Sequence, residues 1–276
     1  MSKNTGKKLN GDLHRVKHGS SVRLSDCSTR GRDFCDDRKA AEAEFVELRE
    51  ELIELQRRLY AEGKRKLLIV LQAMDAGGKD GTIRHVFRGV NPQGVRVTSF
   101  KQPSEIELAH DFLWRIHQAV PQTGMMGVFN RSHYEDVLVV RVEEIVPEDV
   151  WQARFEHINN FERHLSDSGT TILKFFLHIS KDEQEERFNE RLSNPDKRWK
   201  FSAQDLVKRR HWDRYVPAFE EVLAECNTEW APWFVIPADQ KWYRNLAITR
   251  VIVDTLKTMN PQYPAPQIDT EPGDLD

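Results

Sequence analysis

Apolar runs and amphipathic stretches alternate along most of this chain. Helical patterns separate the apolar runs, the clearest at residues 38–62, where apolar side chains recur every three or four positions. Five apolar runs have the length of buried strands, at residues 66–72, 95–100, 125–129, 170–179 and 233–236. Because strands that alternate with helices form parallel sheets covered on both faces, the pattern predicts an α/β fold.

Most of the other predicted helices have recognisable starts or ends. One at residues 104–119 opens with Ser104 and Glu107, which have the spacing of a capping box. Another begins at Pro147 and stops at Gly169. The remaining helical patterns lie after the first strand up to about residue 89, and at residues 181–193, 203–225 and 240–259.

The two ends of the chain lack such periodicity. Residues 1–37 are polar and predict an N-terminal arm, and residues 260–276, with four prolines, predict a C-terminal tail. The part between them, 38–259, is expected to form a single domain. Trimming the chain before about residue 30 or after about residue 262 is expected to leave catalysis largely intact.

Composition narrows the class of protein. The 276 residues are 39% hydrophobic and 31% charged, with a formal net charge of −3, so any binding of a polyanion must use a local basic patch. We find neither an apolar run of membrane-spanning length nor an apolar signal segment at the N-terminus. Three scattered cysteines fit a reducing compartment. We therefore predict a cytoplasmic protein without a membrane partner.

The most informative stretch is LLIVLQAMDAGGKDGT, residues 67–82. An apolar run is followed by Gly77, Gly78 and Lys79 and then by a helical segment. Glycines allow backbone N–H groups to surround phosphate oxygens, and the helix N-terminus and the lysine add positive charge. The order strand, glycine loop, lysine and helix therefore predicts an enzyme that transfers phosphoryl groups.

This loop departs from the general phosphate-loop pattern at two positions. Ala73 replaces the first glycine, and Asp80 replaces the hydroxyl residue that normally binds Mg²⁺. The carboxylates of Asp75 and Asp80 could supply oxygen ligands to the metal instead. The alternative interpretation is a tight turn between a strand and a helix, with Lys79 in solvent.

A second polar cluster, NRSHYED, follows the third strand. Ligands of open α/β sheets bind beyond the carboxyl ends of the strands, so this cluster is placed for function. Arg131 could hold a phosphate through two hydrogen bonds, and Asp136 could hold Mg²⁺ or its water ligands. The alternative is a solvated loop that only reverses the chain.

A third segment is strongly basic. Residues 191–214 contain eight basic and three acidic side chains, and Arg187 and Arg191 share one helical face. Such a segment could close over phosphates as a lid and exclude water, although a solvated helical face would show the same charge run. Further basic positions near the loop are Arg84, Arg88 and Lys101. These cations exceed what one nucleotide needs, which favours a longer polyanion.

Three segments together resemble the signature regions of the polyphosphate kinase 2 family. They are LQAMDAGGKDGTIRHVFRGVNPQG, GVFNRSHYEDVLVVRV and RFNERLSNPDKRWKFSAQD, and the resemblance covers about residues 38–258 in the family's order. Asp75 and Lys79 match the family's own loop core. The HYED ending, residues 133–136, resembles the subgroup that phosphorylates both nucleoside mono- and diphosphates.

The resemblance implies a P-loop kinase-like three-layer sandwich with a parallel sheet and a helical lid at about residues 181–215. It implies reversible, Mg²⁺-dependent transfer from inorganic polyphosphate to AMP and ADP, with Mn²⁺ as an alternative metal. It also implies a homo-oligomer, either a dimer or a tetramer.

On this interpretation the residues divide into four groups. The catalytic residues are Asp75, Lys79, Arg131 and Arg187. The phosphate-binding residues are Gly77, Gly78, Asp80, Gly81, Thr82, Arg84, Lys101, Arg191, Lys197, Arg198 and Lys200. Asn130 and Glu135 are assigned to the nucleotide, and Asp75 and Asp136 to the metal.

Two other functions fit parts of the pattern. One is an ordinary nucleotide kinase that uses ATP as donor, which the loop alone does not distinguish. The other is a non-enzymatic module that binds polyanions such as nucleic acid. Acidic residues at the phosphate site, among them Asp75 and Asp136, argue against the second, since without a metal they would repel phosphate. We therefore predict no nucleic-acid partner.

Overall fold

The parallel sheet that the apolar runs predict is present. The structure is a computed structural model that describes residues 11–201 and 203–266. Within these residues the strands are all parallel and lie in the order β2-β3-β1-β4-β5 across the sheet. They are β1 (Lys66–Ala73), β2 (Val95–Ser99), β3 (Met126–Asn130), β4 (Thr170–His178) and β5 (Trp233–Pro237). The predicted α/β class is confirmed.

Helices cover the two faces of this sheet. The α-helices are α1 (Arg38–Glu62), α2 (Lys79–Val86), α3 (Glu105–Leu108), α4 (Trp114–His117), α5 (Glu135–Val142), α6 (Glu148–Asp167), α7 (Lys181–Ser193), α8 (Ala203–Arg210), α9 (Trp212–Glu225) and α10 (Lys241–Met259). One group is α1, α2 and α10, and another is α5, α6 and α9. Every residue of β1 after the first is buried, although neighbouring side chains point to opposite faces. The central strand is therefore covered on both sides, which gives three layers.

Two parts of the helix prediction differ from the structure. The single helix expected at residues 104–119 is two short helices, α3 and α4, although the capping box at Ser104 is present. Between them the carboxylate of Asp111 accepts a hydrogen bond from the backbone of Leu113 at 2.9 Å, and this turn interrupts the helix. The helix expected at 203–225 is likewise divided at His211 into α8 and α9.

The described part of the N-terminal arm, residues 11–37, packs along β5 and α10. Val16 and Leu24 are buried in the main core. The side chain of His14 bonds to the Tyr243 hydroxyl at 2.7 Å, and Arg15 forms an isolated bridge with Phe234. The few apolar side chains of the arm are therefore buried although they show no periodicity, and the effect of trimming the arm on catalysis stays a prediction.

We expect Leu24→Ala to lower the free energy of unfolding by roughly 2–4 kcal/mol, the usual range for deleting a buried leucine side chain. Leu24 is 3% exposed, whereas Leu13, 44% exposed in the same arm, is the matched control. Urea unfolding of both alanine variants measures the difference. Equal midpoints for the two variants would contradict burial of the arm.

No helix among the described residues has both the length and the apolar character needed to cross a bilayer.

Candidate active site

The loop after β1 has the shape of a phosphate cradle. Its backbone enters the left-handed region at Ala76, with φ 60°, and at Gly78, with φ 102°. Gly77 is also required for space, since an added Cβ would lie 2.5 Å from the Cβ of Ala73. Helix α2 starts directly afterwards, so its free N–H groups and its positive dipole end face the loop. Thr82 closes the first turn, donating from its hydroxyl to the Gly78 carbonyl at 3.1 Å.

Lys79 is buried at this point rather than solvated. Its Nζ donates to the carbonyl of Ala73 at 3.1 Å, and the residue is only 8% exposed. Burial and the nearby charge of Arg131 lower its pKa to about 8, against the opposing effect of Asp75. Lys79 therefore still carries most of its charge at pH 7, inside a site from which water is largely excluded. The alternative interpretation of a solvated turn lysine does not fit this position.

Asp75 holds several cations of the site together. Its Oδ1 accepts from Arg131 at 2.7 Å, and its Oδ2 lies 3.7 Å from Nζ of Lys208. Burial alone would raise the pKa of Asp75, but the charges of Arg131, Lys208 and Lys79 outweigh it and hold that pKa below the usual value. The carboxylate is therefore ionised near neutral pH. Gln184 on α7 donates to the Asp75 carbonyl at 2.8 Å and fixes the backbone there.

Arg131 extends from the end of β3 to the neighbouring β1 loop. Its φ of 63° is left-handed, and its backbone N–H donates to the carbonyl of Leu71 at 3.1 Å. The guanidinium lies between Asp75 and Glu135, with Glu135 at 3.0 Å. The charge of Glu135 in particular raises the pKa of Arg131 further, so its charge is permanent. The structure thus brings together the first two clusters that the sequence analysis singled out.

Asn130 and Asp80 also meet across the two strand ends. The side-chain amide of Asn130 donates to Oδ1 of Asp80 at 2.7 Å. This bond links the polar cluster after β3 to the first turn of α2, so both residues lie at the mouth of the loop.

Asp136 has a different set of partners from Asp75. Asp136 is the second residue of α5. Its carboxylate lies 3.7 Å from Arg115 and 3.5 Å from Arg154. Burial raises its pKa to about 6 despite these two cations. Its buried Oδ2 has no hydrogen-bond partner. Within the described residues no cluster of three or more His, Cys, Asp or Glu side chains is arranged for a metal.

Arg187 ties the lid segment to the loop. Its Nη1 donates to the carbonyl of Ala76 at 2.8 Å, and its Nη2 to the carbonyl of Ala238 at 2.5 Å. Its Nε bonds to Glu183 at 2.7 Å. The guanidinium therefore fixes the backbone of the phosphate loop at Ala76. Contact between Arg187 and a substrate stays a prediction.

The outer basic residues of the lid segment mostly contact their own neighbours. Lys197 pairs with Glu190 at 2.5 Å, and Arg198 donates to the carbonyl of Leu192 at 2.7 Å. Arg191 lies over the Phe188 ring, yet it is close enough to contribute to the electrostatic field at Asp75. The side chain of Lys200 lies outside the described part of the structure. Arg84 and Lys101 are exposed, and Gly81 lies beside Arg244.

A narrow cleft, with a cavity volume of about 30 Å³, opens beside Asp75 and Arg131. One end is charged, and the other is apolar. The charged end contains Asp75, Arg131, Glu135 and Lys208, and the apolar end contains Met74, Leu138, Val139, Trp212, Tyr215 and Phe219. This combination of side chains has the chemistry to contact a ligand with an anionic group and a flat apolar ring. Neither Lys208 nor the apolar wall is among the site residues predicted from the sequence.

A parallel sheet whose central strand leads into a glycine–lysine loop defines a phosphate-binding protein of the α/β class. The sequence model of the polyphosphate kinase 2 family matches residues 35–264. The crystal structure of polyphosphate kinase 2 from Arthrobacter aurescens TC1 superposes with a TM-score of 0.91 at 39% identity, covering 96% of this chain and 95% of that one. The chain belongs to the polyphosphate kinase 2 family.

Two curated relatives cover most of the chain. An AMP/ADP-polyphosphate phosphotransferase from Meiothermus ruber is 60% identical over 85% of this chain and 88% of its own length. An ADP-polyphosphate phosphotransferase from Rhodopseudomonas palustris is 45% identical over 91% of each chain.

Proposed function

We propose that this protein transfers the terminal phosphoryl group of inorganic polyphosphate to AMP and to ADP. One observation carries the proposal: Lys79, which is buried, and Arg131, which is half-buried, meet at a phosphate loop that borders a cleft with an apolar wall. The loop suits a phosphate chain, and the lining of the cleft combines the charged and apolar side chains that a nucleotide would contact. The names of the relatives from Meiothermus ruber and Rhodopseudomonas palustris support the same donor and the same acceptors.

In the proposed reaction a terminal phosphate oxygen of the nucleotide attacks the terminal phosphorus of the chain in line. The bond from that phosphorus to its bridging oxygen breaks, and the polyphosphate leaves one phosphate shorter. The acceptor oxygen is already ionised at neutral pH, so the protein mainly positions the groups and neutralises charge. Lys79 and Arg131 supply that charge, and Asp75 fixes the position of Arg131 through its 2.7 Å bond.

The residues present fit a magnesium ion. Asp75 is an ionised carboxylate at the loop, and Asp136 has a buried oxygen without a hydrogen-bond donor. Carboxylate oxygens are the protein ligands that Mg²⁺ and Mn²⁺ prefer. We propose that these two residues hold the metal, which would neutralise charge on the transferred phosphate when bound.

Asp75→Asn and Asp136→Asn should each raise the Mg²⁺ concentration for half-maximal activity, by roughly tenfold, because a neutral amide is a poorer ligand for a hard cation. Mg²⁺ titrations at saturating substrates measure the shift. Asp149→Asn, at an exposed position in α6, is the control and should titrate as the wild type does. Wild-type curves for both variants would remove the carboxylates from the metal site.

The test of the activity itself is a set of separate incubations with Mg²⁺. Polyphosphate is the donor, and AMP, ADP or GDP is the acceptor, with the products resolved by chromatography. We expect AMP and ADP both to be converted and ATP to appear. Turnover with ATP as donor but none with polyphosphate would make the protein an ordinary nucleotide kinase. Conversion of diphosphates alone would contradict the proposed acceptor range.

Three further statements stay predictions. They are the assembly into a dimer or tetramer, the cytoplasmic location and the lack of a nucleic-acid partner. Size-exclusion chromatography with light scattering would measure the first.

A further inference from the structure

Arg244 on α10 is a buried cation beside the phosphate loop. It is 2% exposed, and its Nε and Nη2 share one acceptor, Oδ1 of Asn245, at 3.2 and 2.8 Å. Its Nη1 lies 2.0 Å from where a Cβ on Gly78 would stand, and its Nη2 lies 3.4 Å from the corresponding point on Gly81. The guanidinium therefore packs directly against the N-terminus of α2. Gly78 must be glycine partly because Arg244 occupies this space.

The charge of Arg244 has no balancing carboxylate within the part of the chain that the structure describes. Among the residues described, no carboxylate lies within ion-pair distance of Arg244. The carboxylate of Glu183 opposes the fall in its pKa, but that carboxylate is bonded to Arg187. Burial and the neighbouring Arg187 lower the pKa of Arg244 to about 9. Buried charges are normally paired, since an unpaired one is costly to remove from water. A bound anion at the loop would supply the missing negative charge.

The position of Arg244 favours the donor rather than the acceptor. It does not line the cleft with the apolar wall, which lies on the Asp75 and Arg131 side of the loop. Its own surroundings are basic: Arg84, Arg88 and Arg49 lie near His85 together with Arg244. Arg84 and Arg88 are exposed on α2. A ligand on this side would meet a series of cations, as a long polyanion requires.

We propose that Arg244 is a donor-binding residue whose Nη1 contacts an oxygen of polyphosphate bound over Gly78. From there the chain runs along the exposed face of α2, past Arg84 and Arg88. The inference rests on the proposed function, because it takes polyphosphate as the donor. It adds a residue that no local motif contains and gives the donor chain a direction.

The test compares Arg244→Met with Arg250→Met. Arg250 is on the same helix and is also buried, but Glu44 pairs with it at 2.7 and 2.5 Å. The unfolding temperature of each full-length variant is measured with and without polyphosphate, and steady-state kinetics are measured with ADP. Arg244→Lys, which keeps the charge, is the conservative variant.

Arg244→Met should unfold at the wild-type temperature or above without ligand, since it removes an unpaired buried charge. It should lose most of the stabilisation that polyphosphate gives the wild type. The KM for polyphosphate should rise roughly 10- to 100-fold, as expected for one lost hydrogen bond between charged groups, while the KM for ADP changes less than about twofold. Arg244→Lys should recover part of the loss. Arg250→Met should unfold earlier without ligand but keep the full stabilisation by polyphosphate.

Other results would overturn the inference. If Arg244→Met unfolds earlier without ligand and keeps the wild-type gain with polyphosphate, Arg244 only supports the loop. If the KM for ADP rises as much as that for polyphosphate, the residue does not belong to the donor side. The proposed function itself would be overturned if polyphosphate neither stabilised the wild-type protein nor served it as a phosphoryl donor.

Discussion

Replacing Lys79 with alanine is expected to lower turnover by roughly two to four orders of magnitude, the effect of losing about 3–5 kcal/mol of transition-state stabilisation. The ammonium group is buried at the phosphate loop. Bulk water therefore could not stabilise the negative charge of the transferred phosphate in its place. Steady-state kinetics with polyphosphate and ADP measure the loss, and circular dichroism establishes that the variant is folded.

Two further lysine variants make this result specific. Lys64→Ala, at an exposed position before β1, should keep wild-type turnover. Lys79→Arg keeps the charge but needs more room in a buried site, so we expect intermediate activity. A folded Lys79→Ala protein that retains more than about a tenth of wild-type turnover would exclude the proposed role of the lysine.

The phosphate loop was predictable because its signals are local. A buried strand, two glycines, a lysine and a helix start lie within sixteen residues in the order in which they act. Arg131 was predictable for a related reason, since β1 and β3 are neighbours and their carboxyl ends meet at one edge of the sheet.

Helix α5 was not predicted, and its composition explains why. Its apolar part is Val137, Leu138, Val139 and Val140, and β-branched residues favour strands over helices when taken alone. Packing against α6 and α9 decides the conformation instead. The helix also explains the position of Asp136, whose side chain meets Arg115 and Arg154 rather than the cations around Asp75. These partners of Asp136 depend on tertiary structure, which its position in the sequence does not reveal.

Arg244 lay beyond any pattern in the sequence. Arg244 lies in a helix whose sequence is typical of a core element. Only the fold places it against Gly78. Lys208 was noticed only as part of a basic run, because nothing in that run distinguishes the lysine that reaches Asp75 from its neighbours.

A fully buried ion pair lies behind the cluster that carries Arg131. Lys174 on β4 lies 2.6 Å from Glu162 on α6, and the Lys174 ammonium also donates to the hydroxyl of Tyr134 at 2.8 Å. His133 contacts the same carboxylate at 3.2 Å. Burial alone would raise the pKa of Glu162, but Lys174 and His133 hold it below the usual value. The pair therefore anchors Tyr134, which directly precedes α5 and lies three residues after Arg131.

Lys174→Met should lower the free energy of unfolding by roughly 3–5 kcal/mol at neutral pH, because it leaves the Glu162 carboxylate buried without its cation. Lys174→Met combined with Glu162→Leu should recover a large part of that loss, since both charges are then absent. Urea unfolding measures all three proteins. Lys181→Met, at a half-exposed position in α7, is the control and should change the free energy by less than about 0.5 kcal/mol.

The pH dependence of the loss in unfolding free energy distinguishes an unpaired buried charge from a packing defect. Without Lys174, the pKa of Glu162 in the folded protein should rise above its value in the unfolded chain. The folded single variant then binds a proton that the unfolded chain releases, so its penalty should shrink as the pH falls and grow as the pH rises through the new pKa. Unfolding free energies of the single and double variants should therefore converge towards pH 5. A difference between them that stays constant from pH 5 to pH 8 would mean that the loss comes from packing rather than from the unpaired carboxylate.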